Sequence, residues 1–586
     1  MTKQFLKKSF RQTVQADLPR RYGLRQTRSR AGRWVDEKFV PEERQEVGLH
    51  ITVKKALKMF GKKAIKVMFD EMKQMVKKRL FHPVHDDRLT FKQKKKVIRS
   101  SMFLKDKYLS TGEFEKLKAR LVAGGNMQDK SLYEDISSPT VSTQAALMAA
   151  AIAASERRHV ATVDIGGAYL NADMGEHEVL MRLDAKLAMI LTKLKPDYEA
   201  FLAADGTMVV KLDKALYGCV ESAKLWYDHL TATLEGMGFK RNPYDICVFN
   251  LPAEPGHPQC TVIAHVDDLK ITCKDNSVVH RVISKLRDVY QDIKVTEGKV
   301  HSYLGMTFDY TQPGKVIISM EGYVIDVLSL YDVTKRAATP AKENLFDVRE
   351  DVDKLNPSQA QVLHSRVAKL LYLAKRVRPD ILTPIIFLTT RVKSPDVDDW
   401  EKLERVLHYL NATQELALTL EMDEGIRDSA FIDCSHGVHP NGRGQTGSAI
   451  TLGKGMVHAK SAKQKLVSKS STETELIGLS DESSQVICTR NFLTEQGYSL
   501  PPATIFQDNK STMALVDKGR STCARTRHIN VRYFFIKDRV EKKDIKIEYL
   551  PTGKMTADIL TKPLQGDLFK KMRCQLLNCC ITVGFF

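Results

Sequence analysis

Residues 260–273 read CTVIAHVDDLKITC: two runs rich in β-branched residues flank the adjacent carboxylates Asp267 and Asp268. That pattern predicts a hairpin with charge at its tip. CVFNL (247–251) precedes it across the turn-forming PAEPGHP and supplies a neighbouring strand. Further upstream, HVATVDI (159–165) reads as a buried strand with Asp164 near its end, and KLKARLVAG (116–124) as another strand. Helices are expected at Thr143–Glu156 and at Ala223–Met237, the second ended by Gly238. Strands and helices therefore alternate from 116 to 335, which predicts an α/β domain.

A carboxylate at the end of an apolar strand is costly to bury, so it is either solvated or holding a cation. Adjacent Asp267 and Asp268 repel each other, and a divalent ion is the usual remedy. Two hard cations about 3.5–4 Å apart, held by strand-end carboxylates, clamp the attacking and leaving oxygens of an in-line phosphoryl transfer. Polymerases use this device. Taken alone, an Asp-Asp pair on a loop is more often solvated surface, so the surrounding sequence decides.

The chain has 586 residues and a formal charge of +20, from 91 Lys and Arg against 71 Asp and Glu. At roughly 100–200 residues per domain, about three to five domains are expected. With 43% hydrophobic residues each can bury a core, which excludes general disorder. The longest apolar run, Ala145–Ala154, is far short of the roughly 20 residues that span a bilayer. The basic N-terminus is not followed by an apolar segment, so a cytosolic or nuclear chain is expected. The ten cysteines are scattered, without a C-x-x-C pair, and Cys434 with His436 and His439 lacks a second cysteine at zinc spacing. Excess positive charge suits nucleic acid, an anionic membrane surface or simple solubility, and does not choose among them.

Working outward, residues 1–50 read as a flexible basic arm, with stretches such as RYGLRQTRSRAGR. Residues 51–115 read as a helical extension that includes the cationic KQKKKVIR (92–99). The region 336–415 holds three helical stretches and looks like a connection. From 416 to 564 the strands return with LALTLEM, SAFIDCS, GSAITLG and GMVHAKS, then a helix from Thr472 and the strand TIFQDN, which predicts a second α/β domain. Residues 565–586 are expected to be a tail.

This second domain repeats the first domain's chemistry. Asp433 lies in SAFIDCS, Glu475 near the start of the helix opened by SSTETEL, Asp508 at the end of TIFQDN and Asp558 in TADILTKPL. Four acids at strand ends and helix starts again suit two divalent cations. Ser470 and Glu473 match a capping box, which gives Glu473 a structural task and leaves Glu475 as the preferred ligand, Glu473 being the alternative.

The motifs KLKARLVAGGNMQD (116–129), SSPTVST (137–143), VDIGGAYLNA (163–172), VVKLDKALYGCVESAKLWY (209–227), GF (238–239), HVDDLKIT (265–272) and YLGM (303–306) occur in order. In sequence and spacing they resemble the reverse transcriptase of copia-type LTR retrotransposons. KQKLVSKSSTETEL, QDNKSTMAL, RTRHINVRYFFIKDRV and ADILTKPLQG likewise resemble the ribonuclease H of such elements. The resemblance covers nearly everything after residue 50. It implies an α/β multidomain fold: right-hand polymerase fingers and palm (116–335), a helical thumb or connection (336–415) and a ribonuclease H-like α/β domain (416–564). It also implies that Asp164, Asp267 and Asp268 bind two Mg²⁺, with Mn²⁺ the alternative ion, and that Asp433, Glu475, Asp508 and Asp558 do the same. Tyr169 would lie under the sugar and exclude a 2′-hydroxyl, Lys118 and Arg120 would grip the triphosphate, and Tyr217, Gly218 and Lys224 would lie under the nascent base pair. His528, with Arg525, Arg527 and Arg532 around it, would meet substrate phosphate or the core.

Two departures from the family pattern stand out. His265 replaces the usual Tyr before Val-Asp-Asp, and Glu221 puts a negative charge where an amide often faces the nucleotide. The expected partners are an RNA template, a DNA primer, RNA–DNA hybrid and dNTPs, with no membrane, and with a homodimer or other retroelement proteins as further partners. The expected location is cytoplasmic, in a virus-like particle, or nuclear. No protease triplet or integrase zinc cluster occurs in the sequence, so it is expected to correspond to the polymerase and ribonuclease H part of a Pol polyprotein. The alternative reading is a catalytically decayed nucleic-acid-binding remnant of a retroelement.

Overall fold

The structure, a computed structural model, describes residues 33–35, 38–40, 51–108, 114–129, 131, 137–255, 258–423, 426–518 and 530–579. Of the expected basic arm only a two-stranded ribbon, 33–35 with 38–40, falls among them. Arg525, Arg527 and His528 lie outside the described residues. No helix among the described residues is long and apolar enough to cross a membrane.

In the fingers, helix α1 (Lys62–Lys77) turns Ala64, Met68, Met72 and Met75 inward at helical spacing. The segment expected to stay helical up to 115 instead contains strand β1 (Ile98–Tyr108), paired antiparallel with β2 (Phe114–Ala123). Ile98, Met102 and Leu104 are buried while Arg99, Ser101 and Lys105 are exposed, so a period of two was present but overshadowed by the lysine run before it. That run forms only a short helix, Phe91–Lys96, capped by Thr90.

The palm is a six-stranded sheet. Its strands are β3 (His159–Ile165), the short 240–242, β4 (Asp245–Leu251), β5 (Cys260–His265), β6 (Asp268–Cys273) and β7 (Ile293–Glu297). Strand β3 runs between β6 and β7, antiparallel to both. Helices α2 (Ser222–Gly236) and α3 (Asn276–Tyr290) cover this sheet with Trp226, Leu230, Leu234, Val278, Val282 and Leu286. The alanine-rich helix Thr143–Ser155 buries every residue from Ala145 to Ala154, so its apolar run serves the interior on all sides.

A second sheet joins β8 (Val300–Tyr303), β9 (Met306–Asp309), β10 (Lys315–Ser319) and β11 (Leu418–Met422). LALTLEM, expected to open the last domain, therefore pairs with β10, Ile317 opposite Thr419. Alternation shows that a segment is a strand; it does not say which strand it pairs with. Between β10 and β11 come helices α4 (Pro357–Ala374), α5 (Leu382–Thr389) and α6 (Val397–Asn411).

The last sheet has a ribonuclease H-like arrangement. Strands β12 (Ser429–Ser435), β13 (Gln445–Thr451) and β14 (Met456–Lys463) are antiparallel, and β15 (Ala503–Gln507) and β16 (Ile545–Tyr549) add in parallel to β12. Helix α7 (Ser471–Glu495) crosses it. The expected tail contains helix α8 (Gly566–Leu577), which buries Phe569, Met572 and Leu576.

Helix α8 returns to the connection, where Arg378, Asp380 and Tyr409 are buried together. Asp380 accepts from Arg378 Nε at 3.0 Å and from the Tyr409 hydroxyl at 2.6 Å, while Arg378 Nη1 reaches the Thr413 carbonyl at 2.7 Å. Burial alone would raise the Asp380 pKa, but the guanidinium and the hydroxyl outweigh it and hold the carboxyl below its usual value. Its contribution to stability is therefore present above the unfolded pKa of about 4 and is lost as pH falls through the folded value. Asp380→Asn should cost about 3–5 kcal/mol in urea unfolding, since it leaves a buried guanidinium without its countercharge. The variant should also lose less further stability on acidification than the parent, and a cost below about 1 kcal/mol would show that the pair is dispensable.

Two candidate active sites

The palm site follows from strand register. Asp164 on β3 stands opposite Asp268 on β6, and the Ile165 amide donates to the Asp267 carbonyl at 2.9 Å. His265 pairs with Asp268, so Val266 and Asp267 form a two-residue turn. Val266 has φ of 56°, which is strained for a β-branched residue. Trp226 Nε1 donates to its carbonyl at 2.6 Å, so the indole of α2 fixes that turn from below. Trp226 carries no charge to draw notice, and the sequence reading did not select it. Asp164 and Asp268 are exposed and Asp267 is half-buried, so their oxygens face solvent at the mouth of the palm.

Toward the fingers, Tyr169 meets Tyr217 edge-on with ring centroids 4.8 Å apart, and Arg120 lies 4.9 Å over the Tyr217 ring. Burial, then the Asp267 charge, raises the Tyr169 hydroxyl pKa, and burial pushes Tyr217 up to about 12. Both remain neutral phenols at physiological pH. Lys118 lies on the same strand face as Arg120, and buried Glu71 accepts from the Leu121 amide of that strand at 3.0 Å.

Gly218, at φ of 95°, could carry no side chain, because a Cβ would come 2.2 Å from the Ala123 carbonyl oxygen. A Cβ on Gly125 would lie 1.9 Å from the Gly218 carbonyl oxygen, so fingers and palm touch backbone to backbone. The Lys224 ammonium is paired with Asp228 on its own helix at 2.6 Å.

The two departures resolve differently. Glu221, expected to put a negative charge where an amide often faces the nucleotide, is 3% exposed and accepts from Gln128 Nε2 at 3.0 Å, while the same amide's oxygen receives the Val220 N–H at 2.9 Å. Gln128 therefore hydrogen-bonds both the Glu221 carboxylate and the Val220 amide from within the fold. His265 keeps a buried Nδ1 without a hydrogen bond, and burial lowers its pKa, which favours neutral imidazole.

In the second site Asp433 comes from β12, Asp508 follows β15, and Asp558 lies in the short helix Thr556–Leu560. Oxygens of these three lie within 4.8 Å of one another, the one such acidic group among the described residues. Glu475, near the start of α7, accepts from the Cys434 amide at 3.3 Å and from Gln507 Nε2 at 3.4 Å. Glu473 accepts from the Lys469 amide at 2.7 Å while Ser470 Oγ receives the Glu473 N–H at 3.3 Å, so Glu473 does serve the helix start.

Lys562 was not selected from the sequence, yet its ammonium lies 2.8 Å from Asp558 and 3.4 Å from Asp433. The Thr561 hydroxyl donates to Asp433, and the Thr552 hydroxyl donates to Asp508 at 2.7 Å. Burial, followed by the charges of Asp433 and Asp508, pushes the Glu475 pKa up to about 9; burial and Asp433 push Asp558 up to about 7. Crowded, buried carboxylates that resist ionisation form a donor set suited to hard divalent cations, which would supply the missing charge.

A sheet with strand-end aspartates flanking a strained two-residue turn, joined to fingers that present Lys118 and Arg120, has the architecture of a nucleic-acid polymerase. Residues 90–342 match the family described as reverse transcriptase (RNA-dependent DNA polymerase). The retrovirus-related Pol polyprotein from transposon TNT 1-94 of Nicotiana tabacum is 27% identical over 77% of this chain and 33% of its own length. That from transposon RE2 of Arabidopsis thaliana is 28% identical over 79% of this chain and 31% of its own length. The transposon Ty1-BR Gag-Pol polyprotein of Saccharomyces cerevisiae is 24% identical over 77% of this chain and 26% of its own length. The chain thus spans a third or less of the length of these curated relatives. A solved foamy viral protease-reverse transcriptase in complex with double-stranded DNA aligns at a TM-score of 0.44 and 11% identity, covering 88% of this chain and 84% of that one. Residues 90–342 thus match the reverse transcriptase family, and the chain as a whole is similar to Pol polyproteins of copia-type retrotransposons.

Two measurements check this geometry. Glu475 and Asp558 have raised pKa values, so their stabilising share is complete below about 4 and is lost as pH rises through about 7 and about 9. In chelator the melting temperature should fall across that window, Glu475→Gln should flatten its upper part, and Mg²⁺ should offset the fall; a flat profile in chelator would contradict the crowding. Separately, Trp226→Phe removes one hydrogen bond to the Val266 turn and should speed hydrogen exchange at the Ile165 amide about fivefold. Unchanged protection there would mean that the indole does not hold the turn.

Proposed function

We propose that the chain is an RNA-directed DNA polymerase that also hydrolyses the RNA strand of RNA–DNA hybrid. The observation that carries this reading is the register that sets Asp164 beside Asp267 and Asp268 within a reverse transcriptase domain. Asp164, Asp267 and Asp268 would hold Mg²⁺ in the palm, and Asp433, Glu475, Asp508 and Asp558 would hold it in the second site. When bound, the ions supply Lewis-acid charge to the attacking and leaving oxygens.

The remaining tasks fall to the chain itself. Lys118 and Arg120 neutralise the triphosphate of an incoming dNTP. The neutral Tyr169 ring, braced by Tyr217, forms the floor under the sugar, where bulk disfavours a 2′-hydroxyl. Gly218 lets the backbone come close beneath the base pair. Basic surface holds an RNA template, a DNA primer and their hybrid through phosphates, so binding should weaken with salt.

Primer extension on poly(rA)–oligo(dT) with dTTP and Mg²⁺, beside cleavage of labelled RNA in a hybrid, tests both halves. Asp267→Asn should cut extension at least about a hundredfold and spare cleavage, and Asp508→Asn should do the reverse. Hybrid binding with neither reaction would show a decayed remnant. Cleavage without extension would leave only the second site as an enzyme.

A further inference from the structure

Buried like charges need a countercharge, and the second site carries one within its own chain. Asp433 and Asp558 are 1% and 3% exposed, whereas the Lys562 side chain between them is 37% exposed. Its ammonium lies within 2.8 Å of Asp558 Oδ1 and 3.4 Å of Asp433 Oδ1. The link is anchored at its base: the Lys562 amide donates to the Asp558 carbonyl at 2.9 Å, and neighbouring Thr561 donates its hydroxyl to Asp433. One five-residue segment, 558–562, thus brings a carboxylate, a hydroxyl and an ammonium onto the Asp433 carboxylate.

A hard divalent cation held by Asp433, Asp508 and Asp558 would take these same oxygens. An ammonium at hydrogen-bond distance from two of the carboxylates and a cation coordinated by them cannot share that space. The lysine stem is long, flexible and partly in solvent, so the ammonium can turn outward without moving the backbone.

We infer that Lys562 and the divalent ion compete for Asp433 and Asp558, so that Lys562 is a positioning residue that sets how much ion the site requires. The inference rests on the two-ion reading of that site. Before the ion binds, the ammonium keeps the acids from repelling one another; once the ion is in place, the lysine is released.

Mn²⁺ binding to the full chain, followed by electron paramagnetic resonance, tests this in a background of Asp164→Asn and Asp267→Asn, which suppresses the palm's share. At the sites that Asp508→Asn removes, Lys562→Gln should bind Mn²⁺ about tenfold more tightly than the parent. Its melting temperature in chelator should drop below the parent's, and Mn²⁺ should restore it. Unchanged or weaker Mn²⁺ binding by a folded Lys562→Gln chain overturns the competition. Should that variant fail to fold, Lys562→Arg decides: its fork should hold both acids harder and weaken Mn²⁺ binding, and unchanged affinity overturns the inference. If the parent shows no Asp508-dependent Mn²⁺ at all, the metal reading of the site fails first, and this inference falls with it.

Discussion

The palm depends on one pairing, that of β3 with β6. It places Asp164 across from Asp268 and lets the Ile165 amide bind the Asp267 carbonyl, so three like charges come together through main-chain hydrogen bonds. Side-chain attraction could not do this, because the carboxylates repel. The turn between β5 and β6 bears the strain at Val266, and the Trp226 indole restrains it. A slip of one residue in that register would turn Asp268 to the opposite face and break the arrangement.

Much of this was legible in the sequence because strand periodicity and unusual charge coincide. An Asp-Asp pair between β-branched runs reads directly as a hairpin tip, and Asp164 closing an apolar run reads as its partner. What stayed hidden depends on partners far apart in the chain. Nothing near Glu221 says that Gln128, 93 positions earlier, will bind it. LALTLEM has the pattern of a strand whichever sheet it joins, and only the register with β10 assigns it. Lys562 belongs to a motif that was quoted for its aspartate, and its own role appears only when the fold brings Asp433 next to it. Trp226 looks like any core aromatic until its N–H is traced to a strained carbonyl.

The two sites solve the same electrostatic problem under different solvation. In the palm the acids are exposed or half-buried, and water screens their repulsion. In the second site three of the four acids, Asp433, Glu475 and Asp558, are at most 5% exposed, so the penalty appears as the raised pKa values of Glu475 and Asp558 and as a lysine brought in to offset it. The deeper site is therefore the one whose own stability should respond to pH and to cations.

Helix α7 ties these two environments together. Glu475 sits in its first turns, while its far half meets the palm: Gln485 and Thr489 both hydrogen-bond Gln144 at 2.7 Å, and the Phe492 carbonyl accepts from Asn242 at 3.1 Å. Just beyond the helix, the Gln496 carbonyl accepts from Gln259 at 2.8 Å, and the Tyr498 hydroxyl donates to Glu156 at 2.6 Å. A helix of 25 residues is a rod of roughly 37 Å. One end carries Glu475 of the second site and the other is hydrogen-bonded to the palm, so the distance between the two carboxylate clusters is set by helix geometry and not by a loop. Under the proposed function, that rod fixes how far along a hybrid the RNA is cut behind the growing primer end. Lengthening α7 by a turn would move that cut, whereas lengthening a surface loop would not.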